Sequence, residues 1–136
     1  MASAQATENL TVSKEDDLVL VRNRARYHAR QIGLGLVDET KFVTAVSELA
    51  RNMLTYAGAG QALIEQLTSG DLKGVKMTFE DHGPGIADLN LALTDGYSTT
   101  KSLGLGLPGA RRLVDDFQIR SSLGEGTLVS IITWKR

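Results

Sequence analysis

The chain of 136 residues contains no cysteine, which excludes disulfides, thiolate metal sites and thiol nucleophiles and suits a reducing cytoplasm. Aromatic residues are few, at 5%, and 15 basic side chains nearly balance 16 acidic ones. Such a chain has no general attraction for nucleic acid or an anionic membrane, and it offers few rings on which bases could stack. No apolar run approaches bilayer-spanning length. Met1 to Asn9 are small and polar, without the basic start and apolar stretch of a signal peptide. Internal repeats, linkers and low-complexity tracts are also missing. The chain is 42% hydrophobic, and the expectation is one intracellular, cytoplasmic domain over residues 1–136 with its own core.

What is present is glycine punctuation and two kinds of periodicity. Leu10 and Val12 predict a short edge strand. Ser13, with Asp16 three residues on, resembles a capping box and starts a helix in which Leu18, Val21, Ala25, Ala29 and Ile32 recur at helical steps, with Gly33 and Gly35 as stops. A second helix is predicted from Asp38 to Ala57, ended by Gly58-Ala59-Gly60, with Phe42, Val46, Leu49, Ala50, Met53 and Ala57 as its buried stripe. Glu48 and Asn52 fall one turn apart and off that stripe. Ala62 to Leu67 and Val75 to Asp81 read as strands around a turn at Ser69-Gly70-Asp71. Alternation of Val75, Met77 and Phe79 with Lys76, Thr78 and Glu80 puts Asp81 on the apolar side. A short helical piece is expected near Asp88 to Leu93, then a polar loop from Asp95 to Ser102. A helix from Leu107 to Phe117 follows, with Leu107, Ala110, Leu113, Val114 and Phe117 inward. Ile119 to Leu123 and Thr127 to Trp134 form a hairpin around Gly124-Glu125-Gly126. The sum is an α+β two-layer sandwich, with helices on one face of a mixed, mainly antiparallel sheet.

Several pieces carry chemistry. Glu48 and Asn52, four apart on a helix, can reach one volume, where Asn52 could offer a neutral oxygen to Mg²⁺ and Glu48 could take a proton from an attacking hydroxyl; a solvated helix face is the plainer alternative. Asp81 followed by Gly83 and Gly85 offers a carboxylate acceptor for an exocyclic amine and bare backbone for close approach, or simply a strand-to-loop turn. His82 between them reads as an exposed loop residue. Gly104-Leu105-Gly106-Leu107-Pro108-Gly109 matches the dinucleotide pattern G-x-G-x-x-G, yet polar Tyr97-Ser98-Thr99-Thr100-Lys101-Ser102 precedes it where a buried parallel strand is needed, and too little chain follows. What survives is the affinity of free N–H groups at a helix start for phosphate oxygens, with Lys101 and the hydroxyls of Ser98, Thr99 and Thr100 just upstream. Arg22, Arg26 and Arg30 form a row on the first helix, either a solvated face or a basic stripe for an acidic partner. Trp134 and Phe117 read as core or edge packing.

On these residues the chain resembles the Bergerat-fold (GHKL) ATPases, which include histidine kinases, gyrase-type enzymes and small anti-sigma kinases. Glu48-Leu49-Ala50-Arg51-Asn52 is similar to the family's asparagine box, Asp81-His82-Gly83-Pro84-Gly85 to its first glycine box, and Gly104-Leu105-Gly106-Leu107 to its second. Tyr97-Ser98-Thr99-Thr100-Lys101 resembles a segment before the second box in many histidine kinases, and Thr127 resembles a threonine that assists at the adenine. Within the family the likeness narrows to stressosome switch kinases of the RsbT type, carried by Ser47-Glu48-Leu49-Ala50-Arg51-Asn52, Tyr56-Ala57-Gly58, Asp95-Gly96-Tyr97-Ser98-Thr99 and Gly106-Leu107-Pro108-Gly109. Thr100-Lys101-Ser102 departs from the small, glycine-containing stretch expected there. The resemblance implies phosphate transfer from ATP to Ser or Thr of STAS-domain proteins, and docking onto a PPM-type phosphatase. It assigns Glu48 as base, Asn52 as Mg²⁺ ligand, Asp81 as adenine acceptor, and Gly83, Gly85, Gly104, Leu105, Gly106, Leu107 and Thr127 to the ATP pocket. A nucleotide-gated, anti-sigma-like binding protein is the alternative. A histidine kinase core lacks room for its phosphoacceptor hairpin, and neither His28 nor His82 has a setting suited to be an acceptor.

Overall fold

The computed structural model describes residues 3–86, 93 and 106–136. Five strands form one sheet in the order β1-β2-β3-β5-β4, with β1 at Ser3–Val12, β2 at Gly60–Ser69, β3 at Leu72–Asp81, β4 at Asp116–Ser122 and β5 at Gly126–Trp134. Helices α1 (Glu15–Gln31), α2 (Leu36–Ala57) and α3 (Gly106–Arg112) cover one face. The sheet, expected to be mainly antiparallel, is antiparallel at every described pairing. Ala62, Ile64, Val75, Met77, Phe79, Val129 and Ile131 point from it into one core with Val21, Ala25, Phe42, Val46 and Leu49 of the helices. Burial of that apolar surface is the main force holding the two layers together.

Local boundaries differ from the sequence expectation in instructive ways. β1 is no short edge piece: its pairing with β2 runs from Ser3↔Thr68 to Val12↔Gly60, with an irregularity between Ala4 and Ala6. The carboxylate that caps α1 belongs to Asp17, not Asp16. Asp17 Oδ2 accepts from the Ser13 and Lys14 N–H groups at 2.9 and 3.2 Å and from the Ser13 hydroxyl at 3.3 Å. These bonds hold the Asp17 carboxyl below its ordinary pKa. α2 starts at Leu36, two positions before Asp38, leaving Asp38 and Glu39 in the first turn, where acids complement the helix dipole. It ends as expected at Gly58, in the left-handed conformation with its N–H on the Leu54 carbonyl.

The largest correction concerns the third helix, expected to reach Phe117. α3 ends at Arg112, and Phe117 lies in β4, paired with Ile131. Leu113, Val114 and Phe117 still pack on the core, as their apolar nature demands, but from a turn and a strand. Glu48 was expected off the buried stripe of α2; it is 9% exposed, whereas Ala57 is only half-buried. Leu93 is described as a turn residue, but the helical piece expected near Asp88 to Leu93 and the loop from Asp95 to Ser102 otherwise lie outside the described residues.

Candidate functional site

Two corners of chemistry lie along α2. At the first, β3 ends on Asp81, whose parity with Val75, Met77 and Phe79 turns it to the helix side as expected, half-buried. Its Oδ1 accepts the Gly83 N–H at 2.9 Å and the Thr127 N–H at 3.3 Å, across the pairing Asp81↔Thr127. Oδ2 has no hydrogen-bond partner among the described residues. The carboxylate is thus aimed by backbone donors and keeps one oxygen for a donor from outside. Glycines make the corner possible. Gly126 has φ +113° and a Cβ there would lie 2.0 Å from the Asp81 carbonyl oxygen, while one on Gly85, with φ +77°, would lie 2.2 Å from that of Ser122. Gly83 abuts Ala57 of α2, where an added Cβ would come within 2.6 Å of the alanine methyl. His82 is exposed, as expected.

Ser121 was not foreseen. Its hydroxyl accepts the Ile86 N–H at 2.7 Å and lies 2.8 Å from Thr127 Oγ1 and 3.1 Å from the Gly126 carbonyl. With one proton on each hydroxyl, the consistent arrangement has Thr127 donating to Ser121 and Ser121 donating to Gly126. Thr127 Oγ1 is then left with acceptor capacity toward the Asp81 side. The usable signal was the hairpin register, which places Ser121 opposite Thr127.

The second corner is where α2 meets α3. Glu48 Oε1 accepts the Gly106 N–H at 2.8 Å, bringing the asparagine box and the second glycine box together. Gly106 opens α3 with φ +69°. Pro108 has no N–H to give, so Leu107 and Gly109 supply the other amides of the first turn, beside the Gly106 N–H that Glu48 holds. The Leu107 side chain packs on the core, leaving its backbone as the part that can meet a ligand. Asn52 stands half-buried one turn after Glu48, and its carboxamide has no hydrogen-bond partner among the described residues. From Ala57, which touches Gly83, back to Glu48 is roughly 13 Å along the helix at about 1.5 Å per residue. Ser98, Thr99, Thr100, Lys101, Gly104 and Leu105 lie outside the described residues.

Among the described residues no three histidine or carboxylate side chains cluster to hold a metal by themselves. The neutral Asn52 carboxamide, one turn from the Glu48 that holds the start of α3, instead fits a hard cation that arrives with phosphates and keeps some of its waters. No helix among the described residues is long and apolar enough to cross a membrane.

An α+β sandwich with a backbone-aimed carboxylate toward one end of α2 and the first turn of α3 held to its middle is the arrangement of a nucleotide-binding family. Residues 37–136 match the family described as histidine kinase-, DNA gyrase B- and HSP90-like ATPases, and the chain belongs to that family. It is 46% identical over 125 residues to the serine/threonine-protein kinase RsbT of Bacillus subtilis (strain 168), covering 92% of this chain and 94% of that one. Among solved structures, the RsbU and RsbW domains of Rv1364c from Mycobacterium tuberculosis superpose with a TM-score of 0.66 at 20% identity, over 97% of this chain and 34% of that one. A mycobacterial sensor histidine kinase, MprB, gives 0.57 at 17% identity, over 96% and 99% of the two chains. These distant likenesses establish the fold, and membership of the ATPase family implies ATP binding.

Proposed function

We propose that residues 1–136 act as one ATP-binding kinase domain that transfers the γ-phosphoryl group of ATP to a serine or threonine of a STAS-domain protein, in a cytoplasmic partner switch that also engages a PPM-type phosphatase. The observation that carries this reading is the joining of Glu48 to the Gly106 amide, one helix turn from Asn52. It sets a proton acceptor beside the amides that would hold the transferred phosphate. The similarity to a serine/threonine-protein kinase over nearly the whole chain supports the same reaction.

In this reading the free Asp81 oxygen takes the adenine amine, Thr127 assists, and Gly83 and Gly85 let the backbone lie against the nucleotide. The phosphates run along α2 toward Gly106, with Gly104, Leu105, Leu107, Lys101 and the hydroxyls of Ser98, Thr99 and Thr100 around them. Mg²⁺, held by the Asn52 carboxamide oxygen and the phosphates, would neutralise the charge on the transferred group. A phosphate oxygen accepting the Gly106 N–H replaces Glu48 there and frees the carboxylate. Glu48 then takes the proton of the substrate hydroxyl as its oxygen bonds to the γ-phosphorus and the bond to the β-phosphate oxygen breaks, releasing ADP. Phosphoryl transfer asks the protein mainly for such positioning and charge neutralisation.

The test is incubation of the purified chain with labelled ATP, Mg²⁺ and candidate STAS-domain proteins. Label should appear on the partner, and Glu48→Ala should cut the rate by about 10²–10⁴-fold, the usual worth of a general base. Tight association without any transferred label would sink the kinase reading in favour of a nucleotide-gated binding protein.

A further inference from the structure

α2 carries a concavity on its flank toward α1, lined by neither Glu48 nor Gly106. A recess of about 310 Å³ is lined by Arg22 and Arg26 of α1 and by Glu39, Thr40, Val43, Thr44 and Ser47 of α2. Its charges are unevenly satisfied. Glu39 is buried and held by Arg30, with Nε at 2.8 Å and Nη2 at 3.4 Å. Arg26 Nε lies 3.9 Å from the same carboxylate, and its Nη1 donates to Asn23 Oδ1 at 3.3 Å. Arg22 is exposed and has no ion-pair partner among the described residues. Arg30 and Arg26 therefore share one carboxylate, Arg22 lines the same recess without an ion pair, and most of the donors of Arg22 and Arg26 have no partner among the described residues.

The hydroxyls decide what kind of anion fits. Thr40, Thr44 and Ser47 each donate back to a carbonyl of their own helix, at 2.8, 2.7 and 2.9 Å. With those protons on helix carbonyls, the guanidinium groups are the charged donors of the recess. A phosphate dianion, with more oxygens to satisfy, finds acceptors on the α2 wall. A carboxylate on a hydrocarbon stem is better matched: two oxygens meet a planar fork, and the stem lies on threonine methyls.

Apolar groups stand at both ends of the groove. Val19 precedes Arg22 by three positions and Arg26 by seven, on one face of α1, and is 48% exposed. Leu36, one turn before Thr40 on α2, is 75% exposed, and Val37 beside it 67%. Glu15 pairs with Arg51 and Arg30 with Glu39, so α1 and α2 run antiparallel and these apolar groups fall at opposite ends. An amphipathic helix laid between two antiparallel helices would meet an apolar contact, a basic centre and a second apolar contact.

We propose that the α1–α2 groove docks an acidic amphipathic segment of the protein substrate, one glutamate of which enters the recess and pairs with Arg22 and Arg26. The occupant's role as substrate rests on the kinase reading above. Docking there leaves the α2–α3 corner open, so a partner held at the groove can still present its hydroxyl to Glu48.

The experiment uses the full chain with a non-hydrolysable ATP analogue and Mg²⁺. Calorimetry measures its affinity for the STAS-domain proteins of the same cell, and labelled ATP measures transfer in parallel. The Arg22→Glu/Arg26→Glu double variant should weaken the complex by about tenfold or more, while nucleotide affinity stays unchanged and the Lys/Lys double variant recovers part of the loss. An affinity unchanged by the charge reversal, with transfer intact, overturns the docking site and leaves the kinase reading standing. Reversal-sensitive binding without transfer does the opposite. Loss of nucleotide affinity in the reversed variant, or saturable shifts of the Thr40 and Thr44 amides with inorganic phosphate alone, also overturns the proposal.

Discussion

A single hydroxyl at Ser121 accepts from Ile86 and bridges Thr127 Oγ1 and the Gly126 carbonyl, tying the loop after Asp81 to the β4–β5 hairpin. Ser121→Ala leaves the Ile86 N–H and the Thr127 hydroxyl to find new partners, and should cost about 1 kcal/mol of stability by denaturant unfolding. It should also weaken ATP binding, because Thr127 loses the contact that fixes its rotamer; unchanged affinity would remove Ser121 from the site. A second residue-scale prediction concerns Glu8 on β1. It accepts from Arg24 Nε at 2.8 Å and lies 3.0 Å from Nε2 of buried His28, whose Nδ1 meets the Gln66 amide at 2.9 Å. Burial pushes the Glu8 carboxyl up, but the hydrogen bonds and charges of Arg24 and His28 outweigh it and leave the pKa below 4.5. A depressed folded-state pKa contributes stability above the unfolded value and loses it as the pH falls through the folded one. The stability gap between the native chain and Glu8→Gln should therefore be widest near neutrality and close below pH 4.5. A gap independent of pH would assign the effect of Glu8 to packing.

At the scale of elements, α2 and the hairpin position the Glu48 and Asp81 corners, and two glycines separate conformational strain from steric blockage. Gly58 closes α2 with φ +81° and open space around a hypothetical Cβ, whereas Gly126 combines φ +113° with the Asp81 carbonyl at 2.0 Å. Gly58→Ala should cost about 1–2 kcal/mol, the left-handed penalty alone, with ATP affinity unchanged. Gly126→Ala should cost more and lower ATP affinity, because the backbone under Asp81 must move; equal losses in the two variants would count against that account. The same elements show what was readable in the sequence. Period-two alternation in β3 placed Asp81 on the helix side, and the glycine after Ala57 marked the end of α2, because both signals come from local backbone geometry. The end of α3 was not readable. Leu113, Val114 and Phe117 keep helical spacing, yet Phe117 also alternates with Ile119, and pairing with β5 decides the matter. The burial of Glu48 was hidden for the same reason: it depends on α3, which arrives from far along the chain. Ser121 looked like an ordinary strand serine, since its importance comes from Ile86 and Thr127, brought to it by the sheet.

For the whole molecule, ligand binding and folding form one linked equilibrium, so the adenine contact proposed for Asp81 can be tested through global stability. A ligand that binds only the folded chain adds RT ln(1 + [L]/Kd), about 2.7 kcal/mol at 100 times Kd. In Asp81→Asn, the oxygen toward Gly83 and Thr127 can be retained, since both partners are backbone donors, so the unliganded melting temperature should change little. The free Oδ2, however, becomes an NH₂ donor, which in the proposed pose would face the adenine amine, also a donor. The rise in melting temperature with ATP and Mg²⁺ should shrink to a small fraction of the native one. A purine carrying a carbonyl in place of that amine would meet the new donor favourably, so GTP should stabilise the variant relative to ATP more than it does the native chain. A variant that keeps its full ATP-induced stabilisation would show that the adenine is held elsewhere. A lower unliganded melting temperature with the ligand increment intact would make Asp81 a structural anchor of the β3–β5 corner.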